Sequence, residues 1–142
     1  MGRPLYETAA DLSREGKVIA EASGVWRCDY LKLPISYRLD FAMIRANKIV
    51  GLTEVRCRNV QLNTYPTIHV SVMKRSAAQL LTSQVKVPSL FLIKYNDCMR
   101  YIDFAEEPDY ITIGGRTGAN RRDADDVELV ANYNVKRLKP LR

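Results

Sequence analysis

Two carboxylates and a row of arginines lie close together in the stretch "LDFAMIRANKIVGLTEVRCR", residues 39–58. Two strand-like runs flank a polar "RANK" turn, with Asp40 on the first and Glu54, Arg56 and Arg58 on the second. Residues two apart on a strand share a face. Val50, Leu52, Glu54, Arg56 and Arg58 therefore project one way, while Ile49, Gly51, Thr53, Val55 and Cys57 project the other, with Val55 and Cys57 expected in the core. A hairpin of suitable register lets the Asp40 carboxylate converge with Glu54. Two acids held close repel each other, and a bound cation relieves the repulsion. Oxygen donors without histidine select Mg²⁺ or Mn²⁺ over zinc. The same spacing also fits a solvated sheet face on which Asp40, Glu54, Arg56 and Arg58 form cross-strand ion pairs.

Composition narrows the chemistry further. The single histidine, His69, excludes zinc–histidine sites and argues against triad hydrolases; near the start of a helix it reads as a structural or capping residue ahead of a phosphate contact or proton shuttle. Cys28, Cys57 and Cys98 are far apart, suggesting neither a disulfide framework nor a zinc knuckle, and fit a reducing cytoplasm. A net charge of +6 and a pI near 9.3 favour an anionic partner, nucleic acid first. No run approaches the roughly 18 apolar residues of a membrane span, and "MGRPLYETAADLSREG" is polar where a signal peptide is apolar. A cytoplasmic protein without a membrane anchor is expected. "GGRTGANRR" lacks the lysine and hydroxyl spacing of a phosphate-cradling loop, so no nucleotide cofactor is expected. It reads either as a solvated loop or as a basic loop over a nucleic-acid groove, with Arg116, Arg121 and Arg122 on phosphates.

A length of 142 residues suits a single domain. Leu5, Ala9, Leu12, Gly16, Ile19 and Ser23 predict a helix over about residues 5–23, closed by Gly24. At about 100° per residue Glu15 falls on the flank of its buried face, whereas Glu7 and Glu21 point away. "WRCDYLKLP" predicts a strand ended by Pro34, followed by strands over about 37–44 and 49–58. Val70, Met73, Ala77, Leu80 and Leu81 predict a second helix over about 68–84. "SLFLIKY" and "MRYIDFA" form a hairpin around "NDC", "YITI" is a candidate strand, and the alternation from Val127 to Val135 predicts a last one. The expected class is α/β (α+β), with a central mixed sheet flanked by helices.

With these elements in place, "YRLDFAMIRANKIVGLTEVRCR" resembles the core of the PD-(D/E)-x-K, or restriction-endonuclease-like, nuclease superfamily: an Asp on one strand, then an acidic residue, any residue, and a basic one on the next. The helix, three-stranded meander, helix and strand order resembles that core over roughly residues 5–104. "EVRCRN", "YPTIHVSVMKR", "LFLIKYNDCMRYID" and "GGRTGANRRDADDVE" are similar to phage-encoded members over nearly the whole chain. The resemblance implies phosphodiester hydrolysis of DNA by a metal-activated water, with Mg²⁺ or Mn²⁺ as cofactor. It implies Asp40 and Glu54 as metal ligands, the Val55 carbonyl as a third, and Glu15 as an assisting acid. Lys74 matches a basic residue near the phosphate, and Arg58 and Arg75 are further candidate nucleic-acid contacts. Cutting both strands would favour a homodimer. Arg56 departs from the pattern, which has lysine there. Arginine stays protonated and cannot act as a base, although it can clamp phosphate oxygens. Two alternatives follow: a nuclease-like domain that no longer cleaves and instead holds DNA or a phage partner, and a basic RNA-binding module without metal.

Overall fold

The computed structural model describes residues 9–115 and 127–141. Its first element is the helix α1, Ala9–Trp26. The helix runs through Gly24 and ends three residues later than expected, at Trp26; Arg27, with a left-handed φ of 57°, then turns the chain while the Cys28 N–H donates to the Ser23 carbonyl at 3.0 Å. A meander follows: β1, Asp29–Lys32; β2, Phe41–Arg45; and β3, Lys48–Cys57. The "RANK" turn joins β2 to β3 with Ala46 and Asn47 both at positive φ, the geometry of a tight hairpin turn.

β2 is shorter than the sequence suggests. Pro34 leads into a 3-10 turn over Ile35–Tyr37, and Arg38 closes it at φ 65°. Extended pairing therefore starts at Phe41, and Asp40 sits on the threshold of the strand.

The largest departure lies before the second helix. Thr67–Ser71 is a strand, β4, and the helix α2 begins only at Val72, running to Val85. "TIHVS" alternates, burying Ile68 and Val70 and exposing His69, as a strand does. Ser71 then caps the helix, its Oγ accepting from the Met73 N–H at 3.1 Å. The expected apolar stripe holds only in part: Val70 is buried and Leu81 packs against the core. Met73 and Leu80 are more than half exposed, and Ala78 is the fully buried residue of α2.

The remaining strands are β5, Ser89–Lys94; β6, Met99–Asp103; β7, Tyr110–Gly115; β8, Val127–Asn134; and a short β9, Lys139–Pro140. The main sheet has the order β1-β2-β3-β5-β6-β9, in which β3 and β5 are parallel and the other pairs antiparallel. Parallel neighbours need a crossover, and here β4 and α2 supply it. β4 joins β8 and β7 in a second antiparallel sheet of order β4-β8-β7, which the sequence did not suggest.

The main sheet is packed on both sides. On one, Val18, Ile19 and Ala22 of α1 meet Phe41, Met43, Val55, Leu92 and Met99. On the other, Ala42, Leu52, Phe91, Ile93 and Ile102 meet Ile68 and Val70 of β4, Ala131 and Tyr133 of β8, and Ala78 of α2. One expected inward position is not in the core: Cys57 is exposed. Among the described residues no helix is long and apolar enough to cross a membrane.

Phe91 is fully buried, stacks on Phe104 with centroids 5.6 Å apart, and lies beneath the Arg56 guanidinium at 5.5 Å. Phe91→Ala should therefore cost about 3–5 kcal/mol, read as a lowered urea midpoint with an unchanged slope.

Candidate active site

The register of the hairpin sets the geometry of the acids. Phe41 pairs with Thr53 and Ala42 with Leu52, so one step further Asp40 lies opposite Glu54 on the same face. Both are almost fully buried, at 7% and 3% exposure. The backbone holds Asp40 in place: its Oδ2 accepts from the Val55 N–H at 2.8 Å, and its own N–H donates to the Thr53 carbonyl at 3.0 Å. Its second oxygen, Oδ1, stands 3.9 Å from the Lys32 ammonium.

Glu54 has one engaged oxygen and one orphan. Oε2 accepts from Lys74 Nζ at 2.5 Å, whereas Oε1 is buried without a hydrogen-bond partner among the described residues. Burial, and then the charge of Asp40, push the Glu54 carboxyl up to about 8, and Lys74 and Arg56 offset this only in part.

Asp40, Glu54, Val55, Arg56, Lys74 and Glu15 all line one cleft of about 760 Å³. Glu15 is half-buried there, as its place on α1 predicts. The three acids do not close into a cluster of metal-ligating side chains, and among the described residues no such cluster exists. The donors fit Mg²⁺ or Mn²⁺ nonetheless, because such an ion is commonly held by one or two carboxylates and water, and the orphaned Oε1 of Glu54 is a buried acceptor awaiting a positive partner.

Arg56 is anchored away from the acids. Its Nη1 donates to the His69 carbonyl at 3.1 Å while its guanidinium covers Phe91. The cation hydrogen-bonded to Glu54 is thus Lys74, from the first turn of α2, while Lys32 stands by Asp40. Arg75 is turned elsewhere and does not line the cleft: Nε donates to the Tyr133 hydroxyl at 3.0 Å, Nη2 donates to the Glu106 carbonyl, and Glu107 lies 3.6 Å away. Arg58 is half-buried and also not among the lining residues. Arg116, Arg121 and Arg122 lie outside the described residues.

The cleft also holds His69, for which the sequence favoured a structural role over a phosphate contact or proton shuttle, and Lys32, Arg14, Arg38 and Glu128, which the sequence did not single out. The helical assignment of residues 68–71 obscured the place of His69; the alternation of "TIHVS" was the available signal. Lys32 and Arg38 carried no signal beyond their charge.

A family model described as "Phage putative PDDEXK endonuclease" matches residues 1–141. The chain belongs to this phage PDDEXK family. No curated protein matches it. Among solved structures it is similar to Hjc of Archaeoglobus fulgidus, a Holliday junction resolvase from an archaeal hyperthermophile, at 10% identity and a TM-score of 0.53, covering 66% of this chain and 75% of that one. The likeness shows a shared restriction-endonuclease-like fold.

Glu54 yields a pH prediction. A carboxyl raised from an ordinary value near 4.5 to about 8 stays protonated in the fold while the unfolded chain ionises. The metal-free protein should be most stable at or below about pH 4.5 with respect to this group, and should lose that contribution as pH rises to about 8, at up to about 1.4 kcal/mol per unit. Glu54→Gln should flatten the profile and exceed the parent by about 2 kcal/mol or more at pH 8, in urea unfolding with EDTA present. A variant less stable than the parent at pH 8 would contradict the assignment.

Proposed function

We propose that this PDDEXK family member is a divalent-metal-dependent endonuclease acting on DNA. The observation that carries the proposal is the buried, opposed pair Asp40 and Glu54, with one carboxylate oxygen unsatisfied and a lysine on the other. Burying two acids side by side is costly unless something positive completes them. Lys74, at 36% side-chain exposure, completes one oxygen of Glu54 and Lys32 stands 3.9 Å from Asp40, which leaves Glu54 Oε1 unsatisfied.

Asp40, Glu54 and the Val55 carbonyl would hold Mg²⁺ or Mn²⁺, with Glu15 in support from α1. When bound, the ion would lower the pKa of a water and neutralise charge on the reacting phosphate. The protein's own part is positioning. The Val55 N–H fixes the orientation of Asp40, the sheet fixes its separation from Glu54, and Lys74 can turn from Glu54 toward a phosphate oxygen. Lys74 thereby takes the electrostatic role that lysine on the strand has elsewhere in the superfamily, and Arg56 supports the wall of the cleft. Lys32, Arg38 and Arg14 also line the cleft and add positive charge, which suits a polyanion.

The alternative is a DNA-binding domain that no longer cleaves, favoured by an Arg56 whose guanidinium donates to the His69 carbonyl and covers Phe91. Plasmid incubated with Mn²⁺ or Mg²⁺ separates the two. The nuclease should nick or linearise it, Asp40→Ala and Glu54→Ala should abolish cleavage, and binding without cleavage by the wild type would select the alternative. Lys74→Ala should lower kcat about 10²–10³-fold, whereas Arg56→Lys should stay within about tenfold of wild type. The reverse ranking would return the electrostatic role to Arg56.

A further inference from the structure

The two lysines of the cleft stand at the acid pair in corresponding ways. Lys74 donates to Glu54 Oε2, and the Lys32 ammonium lies 3.9 Å from Asp40 Oδ1. The second contact is the looser one, yet it falls on a particular atom. Asp40 Oδ2 is taken by the Val55 N–H, so Oδ1 is the oxygen with which Asp40 can meet an ion.

The edge of the main sheet brings Lys32 there. It closes β1, an outermost strand, opposite Phe41, and the next residue, Leu33, donates its N–H to the Asp40 carbonyl at 2.8 Å. The ammonium lies 5.6 Å from the centroid of the Phe41 ring and donates to the Leu33 carbonyl at 3.3 Å. These contacts hold it beside Asp40 without enclosing it. The side chains of Lys32 and Lys74 are 35% and 36% exposed, whereas those of Asp40 and Glu54 are 10% and 4% exposed. The acids are thus fixed and the cations are able to leave. A lysine reaches water by rotating a flexible four-carbon stem, and a carboxylate set by strand register cannot follow it. A divalent ion on Asp40 Oδ1 and an ammonium beside the same atom would be like charges at close range in poorly screened surroundings, so each opposes the other.

We propose that Lys32 is a substrate-binding residue held in reserve: it neutralises Asp40 Oδ1 while the ion is away, yields that oxygen when the ion binds, and then contacts a phosphate of the DNA. This rests on the metal site and the DNA substrate proposed for the same cleft. The exchange couples two binding events. The ion frees the lysine for the phosphate, and a phosphate that draws the lysine away clears the oxygen for the ion. Each ligand therefore tightens the other by the same factor. The ion is held weakly until DNA is in place.

Removing Lys32 should shift the two affinities in opposite directions. Without DNA, Lys32→Met should bind Mn²⁺ about threefold or more tightly than wild type, and Lys32→Arg, which keeps the charge, should stay within about twofold of it. The readout is the EPR signal of the free ion, at a pH above the value of about 8 to which Glu54 is raised. Ca²⁺ takes the same oxygen ligands, and on a short duplex that gels show to stay intact it should tighten DNA binding less in Lys32→Met than in wild type. In EDTA the two should bind the duplex within about threefold of each other. Mn²⁺ binding by Lys32→Met no tighter than wild type would overturn the role of Lys32 and mark a structural contact. Equal tightening by Arg38→Met would overturn it too, as a general field effect, because Arg38 lines the cleft with no bond to either acid among the described residues. So would an unchanged coupling between Ca²⁺ and DNA. Each of these leaves the nuclease function standing, since wild type still binds Mn²⁺ and Asp40→Ala does not. Mn²⁺ binding that Asp40→Ala fails to weaken would remove the metal site itself, and this proposal with it.

Discussion

Two carboxylates facing each other across paired strands, nearly out of water, are the constraint around which the rest of the site is arranged. Left alone, Asp40 and Glu54 would repel each other in a medium that screens them poorly, and the fold answers each acid differently. Asp40 is stabilised as an acceptor by the Val55 amide. Glu54 is pressed toward its neutral form and shares one oxygen with Lys74. The imbalance is local free energy that a divalent ion could release, which is the physical sense in which the site is organised for function at some expense of stability.

The three layers contribute different things to that imbalance. The six-stranded sheet sets the separation of the acids through its register, and the packing of α1 against Phe41 and Val55 stiffens the hairpin from behind. The second sheet and α2 close the opposite side, where their apolar contacts with Phe91, Ile68 and Val70 lower the dielectric near Glu54 and Arg56. The basic groups then come from three directions: Lys32 from β1, Arg56 from β3 and Lys74 from α2. A phosphate entering the cleft would meet positive charge on more than one side.

Much of this was legible in the sequence because it depends on short-range periodicity. The meander, the turn at "RANK", and the shared face of Glu54 and Arg56 follow from alternation between residues 41 and 57, and the flank position of Glu15 follows from helical phase. What was not legible depended on tertiary context. Residues 68–71 carry apolar groups at positions that suit a helix or a strand, and pairing with β8 decides in favour of the strand, bringing His69 into the cleft. Cys57 alternates as a core residue would, but lies at the end of β3, beyond the cover of α1. Arg75 follows Lys74 directly, yet a step of one residue on a helix turns it toward Tyr133 and the acidic segment at Glu106.

The crossover between the two parallel strands has an evolutionary consequence. β3 and β5 must be joined by a long excursion, and that excursion carries both β4 and α2, hence both His69 and Lys74. The acids are bound to strand register, where a shift of one residue would turn them to the other face. Lys74 rides on a connection whose length and packing can change while the sheet remains as it is. The acids and the cation beside them can therefore vary as separate modules. The strand position two beyond Glu54 holds an arginine turned to the His69 carbonyl, and the cation on Glu54 comes from the excursion instead.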